Sequence, residues 1–190
     1  AEGVRELDSD DAVFILEDLP KDEQVEILEQ LPPTERVALA RSLLYPENSA
    51  GRIMQTDFIA VPPAWTVGQV IDHLRETADL PERFWEFYVV EPDQRLRGAV
   101  ALDRLLRIKR PVPIEHLLED ELHPVEVTED RADVARLFEH YDLVSAPVVD
   151  ESHRLVGVIT FDDIVDVIEE EAEEDIKALG GVRREEELSD

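Results

Sequence analysis

Apolar positions along the chain change their spacing after the first quarter, and the change marks a new architecture. Up to about residue 45 they recur at helical intervals within short segments broken by proline. Leu16, Leu19, Pro20, Glu23 and Val25 return twelve positions later as Leu28, Leu31, Pro32, Glu35 and Val37, so one helix-and-turn unit repeats. Pro20 and Pro32 are expected just inside new helices, where a missing N–H costs nothing. Val25, Ile27, Leu28 and Leu31 are expected to form the buried face. This is the pattern of a piece of helical solenoid; beginning abruptly at Ala1, it is expected to be truncated or packed on the rest of the chain.

From about Asn48 the order becomes strand, helix, strand, strand, helix, and it occurs twice. In the second copy, Val144 to Asp150 form an apolar strand, Asp150 to Arg154 a turn, and Leu155 to Thr160 another strand before a helix. Phe87 to Val90, Glu91 to Arg95, Leu96 to Ala101 and the run from Leu102 match those segments at a constant offset of 59. Upstream, Val67, Val70, Ile71 and Leu74 match Val134, Leu137, Phe138 and Tyr141 at an offset of 67, so the first copy carries about eight extra residues around Ala78 to Glu86. Thr66 with Gln69 has the spacing of a capping box.

Composition narrows the chemistry. In 190 residues, 43% hydrophobic, there is enough apolar side chain for a real core. The 47 acidic against 19 basic residues give a net charge of -28, which strains the compact state by self-repulsion and makes nucleic acid a poor partner. Divalent cations fit better, although a surface adapted to high salt accounts for part of the acidity. There is no cysteine, hence no disulfide and no thiolate metal site. No apolar stretch approaches the roughly 20 residues of a membrane span, and the chain as given is expected to be soluble.

The acids are densest in the last helix. Asp162, Asp163, Asp166, Glu169, Glu170, Glu171, Glu173, Glu174 and Asp175 accompany an apolar stripe of Ile164, Val165, Val167, Ile168, Ala172 and Ile176. Like charges four apart repel by roughly 0.2 to 0.5 kcal/mol each, and the later acids face the unfavourable end of the helix dipole, together about 1 to 2 kcal/mol of strain. A bound hard cation relieves that strain; the same acids also suit a solvated face. No HExxH, glycine-rich phosphate loop or GxSxG elbow is present, so an enzyme is not supported.

A tandem repeat of about 60 residues in β-α-β-β-α order resembles a pair of CBS modules. The flanks resemble those of MgtE magnesium channels. They are the stretch Tyr45-Pro46-Glu47-Asn48-Ser49-Ala50-Gly51-Arg52-Ile53-Met54, Tyr141-Asp142-Leu143-Val144, and Glu169 to Val182 ending Asp175-Ile176-Lys177-Ala178-Leu179-Gly180-Gly181-Val182. The resemblance implies an α/β (α+β) fold: a partial helical N domain (1–47), CBS module 1 (48–112), CBS module 2 (113–170) and the start of a connecting or plug helix (171–190). It implies a Mg2+-sensing regulatory region, not an enzyme, in which Mg2+ stabilises a closed state. Its partners would be a second copy, as a homodimer through the CBS pair, and a membrane pore domain of the same polypeptide, at the cytoplasmic face of the inner membrane.

The family's metal-binding acids fall on Asp142, Asp163, Asp166, Glu171, Glu174 and Asp175, and on Asp130, which also suits a plain helix N-cap. Partners from the helical side are expected near Asp8, Asp10 or Asp11. CBS modules that hold adenosine use a strand ending in Thr or Ser, then Asp three residues on. Thr160 and Asp163 fit this, with Val144, Ala146 and Pro147 as one wall of an adenine slot, so an adenine nucleotide such as ATP is a second expected ligand. Thr160 and Asp163 equally suit a helix cap. Ala101 and Arg104 stand at the corresponding positions of the first copy, so one ribose site is expected, not two. The alternative to a magnesium sensor is a stand-alone CBS nucleotide sensor with a salt-adapted surface.

Overall fold

The computed structural model describes residues 9–187, with side chains as far as residue 180. Three short helices open it: α1 (Ser9–Glu17), α2 (Lys21–Glu29) and α3 (Pro33–Ser42). Pro20 and Pro32 stand at the N-cap, one residue outside the position expected, with extended ψ near 147°; it is Pro33 that occupies the first turn. Ala12, Val13, Leu16, Leu31 and Leu39 form a small core, with Ile27 and Leu28 packed against it. Val25, expected in the buried face, is 54% exposed, because this core lies on the Leu28 and Leu31 side of α2.

A short helix, α4 (Ala50–Ile53), then carries the chain onto the second repeat rather than the first. Ala50 N–H donates to Glu129 O at 2.7 Å and Gly51 N–H to Val127 O at 2.9 Å, while Gln55 and Val158 exchange backbone bonds of 2.8 and 2.9 Å. Gly157 makes this docking possible: a Cβ there would stand 2.5 Å from Met54 Sδ and 2.8 Å from Gln55 O.

The two repeats form two like sheets. In the first, β1 (Ala60–Val61) pairs parallel with β2 (Glu86–Val90), which pairs antiparallel with β3 (Leu96–Ala101). In the second, β4 (Val125–Glu126), β5 (Ser145–Val149) and β6 (Leu155–Thr160) repeat that order. Even the irregularity is copied: the register shifts at Val89/Val90 and at Val148/Val149. The two hairpins meet at their turns, where Leu96 N–H donates to His153 O and Leu155 N–H to Gln94 O, both at 3.0 Å. Gln94 and His153 both take left-handed φ. Tyr88, Val90, Leu96, Ala99, Val149, Leu155 and Val158 form the shared core between the sheets.

Helices cover each sheet. The first carries α5 (Val67–Glu76) and α6 (Leu102–Arg107); the second carries α7 (Arg131–Tyr141) and α8 (Phe161–Glu187). The Thr66–Gln69 capping box is closed, Gln69 Oε1 accepting from Thr66 N–H at 2.8 Å and Thr66 Oγ1 from Gln69 N–H at 3.3 Å. Ile164 and Val167 of α8 are buried, whereas Ile176 is exposed. The expected apolar stripe therefore contacts the core only in its first turns, and beyond them Glu170, Glu171 and Glu174 lie against the start of α7.

Candidate metal centre

Where α1 approaches the start of α8, a cavity of about 520 Å3 opens, lined by Asp10, Asp11, Glu17, Asp163, Asp166 and further acids, with Arg52 and Arg131 as its cations. Two anchors fix α1 there. Thr56 N–H donates to Ser9 Oγ at 2.8 Å. Arg52 donates to Tyr45 O at 2.8 Å and Leu43 O at 3.0 Å and pairs with Glu17.

The centre of the pocket is a pair of carboxyls. Asp163, 9% exposed, caps the first turn of α8: its Oδ2 accepts from Thr160 N–H at 3.2 Å and from Thr160 Oγ1–H at 2.9 Å. The Gln55 amide lies 3.3 and 3.4 Å from its two oxygens. Asp10 stands within hydrogen-bonding reach of Asp163, and its Oδ1 is buried with no hydrogen-bond partner. Burial, followed by the charge of Asp163, pushes the Asp10 carboxyl up to about 9. Burial also raises Asp163, opposed by hydrogen bonds from Asp10 and Thr160. Two carboxylates this close cannot both stay ionised unaided: either a proton or a cation must sit between them.

These donors suit Mg2+ in kind. It prefers oxygen, retains several waters and binds through one or two carboxylates. Asp10, with one buried and unpartnered oxygen, and Asp163 within its reach offer donors of that kind. Among the described residues no three His, Cys, Asp or Glu side chains are gathered into a ready-made cage.

The other expected ligands are dispersed. Asp166 lines the same pocket. Glu171 and Glu174 are drawn to Arg131, and Asp175 is exposed further along α8. Asp130 caps α7, accepting from Ala132 N–H at 2.8 Å, and Asp142 ends the same helix in a left-handed conformation. Eleven residues lie between these two caps, which puts them about 18 Å apart along the axis. Asp8 lies outside the described residues. The sequence reading narrowed the helical-side partner to three acids without choosing Asp10, and it missed Gln55, Arg52 and Arg131, which no spacing signals.

A second cleft, of about 810 Å3, lies on the far side of Thr160 and is lined by Val144, Thr160, Phe161, Asp162, Trp85 and Arg83 among others. The stretch peculiar to the first repeat supplies Arg83 and Trp85. Ala146, expected in the wall, is buried in the core of the second repeat instead, because its side chain points to the covered face of β5. Pro147 lines a separate cavity of about 610 Å3. Asp163 faces Asp10, whereas Asp162 lines the cleft together with Asp57, Glu82, Glu139 and Asp142 and is the alternative acceptor for the single Thr160 hydroxyl proton.

Two β-α-β-β-α modules joined through their hairpins define a CBS pair. The CBS domain family matches residues 50–110 and 114–170, and the chain belongs to it. The MgtE intracellular N domain matches residues 1–48, and the chain is homologous to MgtE magnesium transporters. The magnesium transporter MgtE of Thermus thermophilus is 39% identical over 145 residues, 76% of this chain and 32% of that protein. The chain thus spans about a third of the length of that relative. A crystal structure of the soluble part of a magnesium transporter superposes with a TM-score of 0.83 at 32% identity, covering 89% of this chain and 66% of the other. The cytosolic domain of the Mg2+ channel MgtE in complex with ATP gives 0.80 at 32% identity, covering 86% and 67%. Among the described residues no helix is long and apolar enough to cross a membrane.

Proposed function

We propose that this chain is the Mg2+-sensing regulatory region of a magnesium channel or transporter and not a catalyst. Asp10 on α1 and Asp163 on α8 hold the ion, in a pocket that Asp166 also lines. The observation that carries this reading is the buried Asp10–Asp163 pair, whose Asp10 Oδ1 has no protein partner. Bound there, Mg2+ supplies the positive charge that lets both carboxyls ionise while α1 remains docked on the second module. Without it, Asp10 either keeps a proton, which holds the contact in place of the ion, or ionises and moves away, and α1 then loosens from α8. Ion binding then selects the closed arrangement, since only that arrangement brings both carboxyls together. Residues 171–190 lead toward a pore domain at the cytoplasmic face of the membrane, and two copies pair through their CBS modules.

The test is hydrogen exchange of α1 in millimolar Mg2+, in chelator, and in NaCl of matched ionic strength. Protection of α1 is expected to rise only with Mg2+, by about 2.7 kcal/mol at a hundredfold excess over Kd, and not in D163N. Equal protection in Mg2+ and NaCl would sink the reading.

The cleft beside Thr160 supports an adenine nucleotide as a second ligand. Trp85, 59% exposed, offers a face for a base and Arg83 a charge for phosphate, and the similar MgtE domain was crystallised with ATP.

A further inference from the structure

Three acids of α8 beyond Asp166, namely Glu170, Glu171 and Glu174, already have a cation. Arg131 is the first residue of α7, fixed there by its N–H donating to Asn48 O at 2.8 Å. Its side chain is only 10% exposed and reaches across to α8. Nη1 meets Glu170 at 2.7 Å, Nε meets Glu171 at 2.9 Å, and Nη2 lies 3.6 Å from Glu174. A guanidinium presents donors in a rigid fork and stays charged at every accessible pH. Glu170 and Glu174, four residues apart, would otherwise repel. Arg131 is nearly buried while its carboxylate partners are partly to largely exposed, so salt screens these bonds less than those of a fully exposed pair but still reaches them.

We propose that Arg131 is a built-in counter-ion that takes the place of a divalent ion on this stretch of α8. It holds the helix on α7 whether or not Mg2+ is present, and so confines the ion response to the Asp10–Asp163 end. Glu171 and Glu174 are then occupied by protein and unavailable as ligands. The second half of the proposal rests on the Mg2+-sensing reading; the tether itself does not.

The test compares wild type, R131Q and R131K by hydrogen exchange over residues 164–178, in chelator and in millimolar Mg2+, with Mg2+ counted by equilibrium dialysis. Wild-type α8 is expected to be equally protected in both conditions. R131Q should lose protection in chelator by at least about tenfold, regain it in Mg2+, and take up one more ion per chain than wild type. R131K should keep most of the protection without the extra ion. Wild-type protection that needs Mg2+, R131Q protection that is never lost, or loss that Mg2+ does not restore would each overturn the proposal, as would recovery without an added ion. Absence of a Mg2+ effect on α1 in the same wild-type samples would count against the sensing reading and leave the tether result standing.

Discussion

At the scale of residues, the Asp10–Asp163 contact makes stability depend on pH in an unusual direction. The Asp10 carboxyl is held to about 9 in the fold against an ordinary 3.8. Between those values the folded chain keeps a proton that the unfolded chain has released, so stability is full below about pH 4 and declines as pH rises toward 9. Glu86, Glu119 and Asp163 are also raised, chiefly by burial, and add to the same slope. The informative quantity is therefore a difference between chains. Urea unfolding in chelator at pH 5, 7 and 9 is expected to show wild type losing stability more steeply than D10N, which carries no proton at this position. Parallel slopes would remove Asp10 from the account. In Mg2+ the wild-type slope should flatten, since the ion takes over from the proton.

Among the elements, α7 offers a test of whether an expected ligand is a helix cap. Asp130 caps it through Ala132 N–H, so D130A should cost about 1 kcal/mol of stability and leave the Mg2+-induced rise in melting temperature unchanged. A lost Mg2+ response in thermal unfolding would return Asp130 to the ligand set. The same contrast shows what was legible in the sequence. The offset of 59 passed intact into paired strands, hairpins and even the positive-φ residues Gln94 and His153, because turn chemistry and strand length are local. The two-residue strands β1 and β4 left no such trace. The inner face of β5 could not be chosen, since Ala146, Pro147, Val148 and Val149 are all covered and no alternation distinguishes them. Periodicity found the apolar stripe of α8 but not where it leaves the core. The acidic run announced a cation without saying that part of it would be Arg131, 39 residues before Glu170, roughly 130 Å of extended chain away and marked by nothing but its charge.

For the whole molecule, the net charge of -28 raises the question whether the acidity is a sensor or an adaptation to salt. The two act over different ranges. Diffuse self-repulsion weakens as the screening length falls from about 10 Å at 0.1 M salt to about 3 Å at 1 M, and any monovalent salt provides that. The Asp10–Asp163 contact is local and largely buried, so monovalent salt screens it less than the surface charge. Raising KCl should therefore increase the melting temperature of wild type and D163N in parallel, while Mg2+ at constant ionic strength should add a further rise in wild type alone. If 1 M KCl abolished the Mg2+ increment by itself reproducing it, the acids would be a salt-adapted surface and the pocket beneath α1 a consequence of it. If the two effects add, the surface charge sets the repulsion against which α1 is held, and the buried pair decides when it is released.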